Sequence, residues 1–213
     1  MEYDKALNAV NKNLYWLNAN ARHAIELKET FLFPAYDRSL RELIKGTNKV
    51  RCYNVCLKAI YSEFIMTLMR MYDSYQRDVI CFEGLFKCLS LDFIRKFEKN
   101  NQRKIKSFID DAYAEYKKLK GSHLVSRFTT VRHKMYAHTA ATFDSNQFAE
   151  YGHAEELLSK TLPMLNSIIN SIWNKEEPYE KIIQYWKKYA IEFWHGLPCG
   201  NEPRPNNQFS GQR

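Results

Sequence analysis

A chain of 213 residues with only seven glycines and six prolines has too few turn formers for the many tight reversals of an all-β fold. The length suits one domain whose apolar core holds without disulfides or metal. The formal net charge of +8 favours an acidic partner, of which nucleic acid is the commonest, although many basic proteins bind no polyanion.

Residues 3–31 repeat apolar side chains at Leu7, Val10, Leu14, Leu17, Ala21, Ala24 and Ile25, a helical period that Pro34 is expected to end. A shorter helix is expected over 37–44, stopping at Gly46. Val50, Tyr53, Leu57, Ile60, Phe64, Leu68, Met71 and Tyr75 then mark a long stripe, with Cys52, Val55, Cys56, Ala59 and Met66 on the opposite side. A helix apolar on two sides belongs in the middle of a bundle. Residues 79–98 read as one or two short helices around Gly84 and Ser90. Ile105, Phe108, Ile109, Ala112, Tyr113, Tyr116 and Leu119 give an amphipathic helix, with Lys99, Arg103, Lys104 and Lys106 early and Lys117, Lys118 and Lys120 at its end. Gly121 stops it, and Ser122 is placed to cap the next helix, over about 122–138. A loop over 139–145 leads into a long helix over about 146–173, kinked at Pro163, and a last helix opens at Pro178 and reaches about Trp194. No stretch reads as a strand. The expected fold class is all-α, a bundle of about six to eight helices without a sheet, forming one domain over 1–195 with a loose tail over 196–213.

Five cysteines, Cys52, Cys56, Cys81, Cys88 and Cys199, form no C-x-x-C pair. The pairs 52/56 and 81/88 fall at helical spacing on apolar stretches and read as buried reduced thiols, which fits a reducing compartment. No further ligands stand beside them to complete a zinc site. The first residues do not read as a signal peptide, and no apolar run approaches membrane-spanning length. The expectation is a cytoplasmic protein with no membrane contact.

The segment from Ser122 to His138 holds the polar cluster best suited to chemistry. At about 100° per residue, Leu124, Phe128, Val131 and Met135 share a stripe, and Arg132 and His138 border it on opposite shoulders. One straight helix would keep these two apart. Were the seam to meet its copy in a second subunit, each Arg132 would approach the other chain's His138. Imidazole is the usual general acid–base near neutral pH, and a guanidinium suits a phosphate or its phosphorane-like transition state. Such a pair supports metal-free transesterification of RNA. An unrelated pair of surface residues accounts for the same spacing.

The run Arg132-His133-Lys134-Met135-Tyr136-Ala137-His138 resembles the R-x(4–6)-H motif of the HEPN superfamily. Arg70-Met71-Tyr72-Asp73, late in the long third helix, resembles the R-x-x-D of AbiU-type abortive-infection members, and the stretch from Val79 to Phe86 resembles their I-S-L-x-x-L segment. Order and spacing agree over about residues 50–140. The resemblance implies a helical bundle that often dimerises through the helices carrying the motif. It also implies a metal-independent endoribonuclease acting as a toxin or antiphage effector and leaving 2′,3′-cyclic phosphate ends. By it, Arg132 and His138 are catalytic and His133 takes the auxiliary polar position, although the helical wheel sets His133 opposite the seam. Lys134, Tyr136, Arg70 and Asp73 are then auxiliary or substrate-binding. Some members of the superfamily are not nucleases.

Arg70 and Asp73 stand three apart, close enough to pair on one helix. A structural ion pair is their first reading, and the second has Arg70 binding phosphate while Asp73 orients it. His23, His123, His153 and His195 read as exposed or capping. The basic residues between 99 and 120 read either as an RNA-tracking face or as a solvated one. For Tyr185, Trp186, Tyr189, Phe193 and Trp194, core packing is favoured over base stacking. No Gly-rich phosphate loop, H-E-x-x-H or G-x-S-x-G occurs, and no cofactor or metal is expected. The leading expectation is an RNA-cleaving homodimer, with a nucleotidyltransferase-type antitoxin as a further partner. The alternative is a non-catalytic module binding RNA or a protein through the same seam.

Overall fold

Helix α1 (Glu2–Tyr36) buries Val10, Leu14, Leu17, Ala21, Ala24 and Ile25 completely, six residues recurring every one to four positions along one side. That side packs against α3 (Lys49–Tyr72), α4 (Phe82–Cys88), α7 (Tyr151–Trp173) and α8 (Tyr179–Gly196). The computed structural model describes residues 2–47, 49–76, 79–89, 99–137 and 151–196, with side chains throughout except at 2–3, 99–104 and 133–137. Among the described residues the chain forms eight helices and no strand, an all-α bundle. The remaining three are α2 (Arg38–Ile44), α5 (Lys99–Lys120) and α6 (His123–Ala137). No helix among the described residues is long and apolar enough to cross a membrane.

Pro34 does not end α1, which runs on to Tyr36. A proline four residues after Thr30 leaves the Thr30 carbonyl without its helical donor. Here the Trp194 indole N–H donates to that carbonyl at 2.9 Å. The Pro34 carbonyl in turn accepts from the Tyr53 hydroxyl. Partners from α3 and α8 thus make the proline tolerable. Asp37 caps α2, accepting from the Leu40 N–H at 2.8 Å and the Ser39 hydroxyl at 2.6 Å. These bonds hold its pKa below the usual carboxylate range. Gly46, at φ +74°, ends the turn after α2 in a conformation that suits glycine.

Helix α3 is half central. From Phe64 to Tyr72 it is buried on nearly all sides. Its N-terminal half is covered on one side only, and Cys52, Val55, Cys56 and Ala59 face solvent. The expected burial of the 52/56 thiols is therefore corrected, because no helix among the described residues covers the second stripe there. Cys81 is buried and Cys88 half-buried, while Cys199 lies outside the described residues. The helix also stops at Tyr72, so Asp73 and Tyr75 lie beyond it.

At the corner between α5 and α6 the Ser122 hydroxyl donates back to the Leu119 carbonyl at 2.5 Å, closing the helix before it rather than opening the one after. Pro163 lies on the exposed side of α7, which continues unbroken to Trp173. The expected loop over 139–145, the start of α7 before Tyr151, the tail beyond Gly196 and all of 90–98 lie outside the described residues. On α8, Trp194 and Ala190 are buried and Trp186 packs against the core, but Tyr185, Tyr189 and Phe193 are exposed. Core packing thus accounts for only part of that aromatic run.

Candidate functional site

Two helices meet to build the site. Leu124, Val125 and Phe128 bury one face of α6 and press it against α3 and its neighbours. That packing carries Arg132 to the C-terminal end of α3, where its guanidinium donates to Asp73 Oδ1. The two side chains retain 19% and 27% of their exposure, enough to meet solvent while the pair is sheltered from full hydration. A guanidinium has five N–H donors, so one contact with a carboxylate oxygen does not use up its capacity for an anion.

The expected partnership between Arg70 and Asp73 is not the one formed. Arg70 is exposed and donates to Glu63 Oε1 at 2.9 Å, two turns earlier on the same helix. Asp73, released from the helix, turns across to α6 instead. About half of the Arg70 side chain is in water. The side chains of His133, Lys134 and Tyr136 and the whole of His138 lie outside the described residues.

What holds Asp73 in place lies just after it. The Tyr75 N–H donates to Glu83 Oε2 at 3.3 Å. Its ring lies so close to α4 that a Cβ on Gly84 would stand 3.1 Å from it. Glu83 also accepts from Lys120 at 2.7 Å and pairs with Lys87 at 3.2 Å. The bonds from Lys120, Tyr75 and Lys87 bring the Glu83 pKa down to about 2. Burial works against the charge on Lys120, but its bonds to Glu83 and Tyr116 outweigh that and leave its pKa raised. Behind the strap, the Thr161 hydroxyl donates to the Leu157 carbonyl, so the Tyr72 hydroxyl donates to Thr161, at 2.6 Å.

Neither the Asp73–Arg132 bond nor the Glu83 cluster follows from local sequence, because their partners stand 59 and 37 residues apart. The weak signal available was Gly84 beside Glu83 in an otherwise apolar segment. Among the described residues, no group of three or more His, Cys, Asp or Glu side chains is arranged to hold a metal ion.

The family model described as AbiU2, a HEPN type, matches residues 2–193. The chain belongs to the HEPN AbiU2 family. No curated protein and no solved structure matches it. The AbiU2 match spans every described helix from α1 into α8, so the aromatic α8 is part of the family's domain rather than an appendage to it. It likewise includes the R-x-x-D segment, whose Asp73 here holds Arg132.

Proposed function

We propose that this AbiU2 protein is a metal-independent endoribonuclease, working as a homodimer through α6 and serving as a toxin or abortive-infection effector. The observation that carries the reading is the bond from Arg132 to Asp73, which fixes a cation at a half-exposed position on the motif helix. In the proposed reaction His138 takes the proton of a ribose 2′-hydroxyl. The freed oxygen attacks the adjacent phosphorus, and Arg132 offsets the growing negative charge on the phosphoryl oxygens. The P–O5′ bond then breaks and O5′ takes the proton back from the His138 imidazolium, giving 2′,3′-cyclic phosphate and 5′-hydroxyl ends. Arg70, His133, Lys134 and Tyr136 serve substrate binding in this reading. A nucleotidyltransferase-type antitoxin would hold the activity in check.

The test compares the wild type with Arg132→Ala and His138→Ala on total RNA in EDTA, with analysis of the new ends. Cyclic phosphate and 5′-hydroxyl ends from the wild type, with rates lower by about 100-fold or more in each variant, are the expected result. A folded wild type that binds RNA with no turnover would overturn the enzymatic reading in favour of a binding module.

A further inference from the structure

A groove of about 510 Å³ opens between α4 and α5, with Glu83 in its lining. Its walls are aromatic. The Phe86 ring lies 5.0 Å from that of Tyr113 and 5.2 Å from that of Tyr116. Tyr113 is 40% exposed, so part of its side chain remains open to solvent. Three lysines, Lys87, Lys117 and Lys120, line the groove. Lys117 stands 4.3 Å over the Tyr113 ring, Lys120 approaches Tyr116, and Lys87 is 4.1 Å over the neighbouring Tyr75 ring. Glu83 and Asp110 are the carboxylates of the lining, and both are already paired with lysine.

Tyr116 adds an independent observation. Its side chain is 3% exposed and lines this groove, and among the described residues its hydroxyl proton has no acceptor. Lys120 is the hydroxyl's neighbour, but an ammonium only donates. A buried O–H without an acceptor is costly, and an acceptor brought by a ligand would remove that cost. Aromatic faces, an excess of lysine and a donor awaiting an acceptor together fit one chemistry, an unpaired nucleotide. The base stacks on Tyr113, its phosphate lies among the lysines, and a carbonyl or sugar oxygen accepts from Tyr116.

We propose that this groove is a stacking subsite for single-stranded RNA, holding a nucleotide away from the scissile bond. The proposal rests on the ribonuclease reading only for why such a strand is bound. Binding itself is measured separately from cleavage.

The experiment titrates full-length protein into a fluorescently labelled 12-nucleotide single strand and its duplex, at fixed salt and in EDTA, using the His138→Ala background. Tyr113→Ala and Lys117→Ala should each weaken single-strand binding, the tyrosine variant by about ten-fold. Tyr113→Trp should retain it, and the equally exposed Tyr189→Ala should leave it unchanged. Both targeted side chains are on the surface, so a folded variant is expected, and circular dichroism checks it. Unchanged affinity in Tyr113→Ala, equal loss in Tyr189→Ala, or no binding by the parent protein would overturn the subsite. Binding that depends on Tyr113, in a protein whose wild type never cuts RNA, would keep the subsite and reject the nuclease.

Discussion

Replacing Asp73 by Ala would leave the Arg132 guanidinium half-sheltered beside α3 without its carboxylate. We expect a stability loss of about 1–3 kcal/mol by urea unfolding. We also expect a lower cleavage rate, because the cation is then free to swing from its position. Gly84→Ala presses on the same site from outside, setting a Cβ 3.1 Å from the Tyr75 ring, which must give by a few tenths of an ångström. Glu83 makes a prediction about acid. Its pKa is about 2 in the folded protein against an ordinary value of 4.5, so the folded state favours the charged form. The stability this adds is present above the ordinary value and disappears as pH falls from about 4.5 to about 2. The wild type's advantage over Glu83→Gln in urea unfolding should therefore be constant at neutral pH and shrink across that acid window. An advantage that grows on acidification would contradict the assignment. The pairings of Asp73 with Arg132 and of Glu83 with Lys120 are not local in sequence. The R-x-x-D spacing draws attention to Asp73, but its partner comes from a helix 59 residues away, while Arg70 turns back to Glu63. Spacing reports which residues share a face and is silent about which neighbouring helix supplies the counter-charge.

Most of the helices were legible from apolar period alone, since α1, α5 and α6 each bury a single stripe and the stripe is written in steps of three and four. The failures have physical causes. Small apolar residues such as Cys52, Val55 and Cys56 form a second stripe on α3 that looks like core, yet burial depends on whether another helix passes there. In a Cys199→Ser background, Cys52 and Cys56 should react with a maleimide within minutes in native protein and Cys81 only on unfolding. Slow reaction at 52 and 56 would mean that this face is covered in solution. Pro34 is misread for the opposite reason, because the donor that replaces its missing N–H comes from Trp194, 164 residues from Thr30. Trp194→Phe removes that donor and should cost about 1–3 kcal/mol. Adding Pro34→Ala restores a local N–H for the Thr30 carbonyl, so the double variant should lose less than the two single effects predict. Strict additivity in that cycle would show that the indole bond carries no weight.

At the scale of the whole molecule, the proposed dimer has a simple genetic test. If each site takes Arg132 from one subunit and His138 from the other, Arg132→Ala and His138→Ala are each inactive alone. Mixing them after unfolding and refolding would rebuild one good site in each mixed dimer, recovering about a quarter of wild-type activity. No recovery, with mixed dimers present, would place both residues of a site in one subunit.

The two flanks of α1 close at different times. On one side Tyr53 reaches Pro34 across 19 residues, and α3 covers that flank soon after it is made. The other flank waits for Glu177, Tyr179 and Trp194, which lie 155, 161 and 164 residues beyond their partners Arg22, Asn18 and Thr30. At ribosomal speeds of about 5–20 residues per second, that interval is on the order of ten seconds. During it a nascent chain carries a bare apolar stripe over Leu17, Ala21 and Ile25, open to holding chaperones and to proteases. A chain stopped short of Tyr179 would therefore leave Asn18 and the Thr30 carbonyl without the partners that α8 brings to α1.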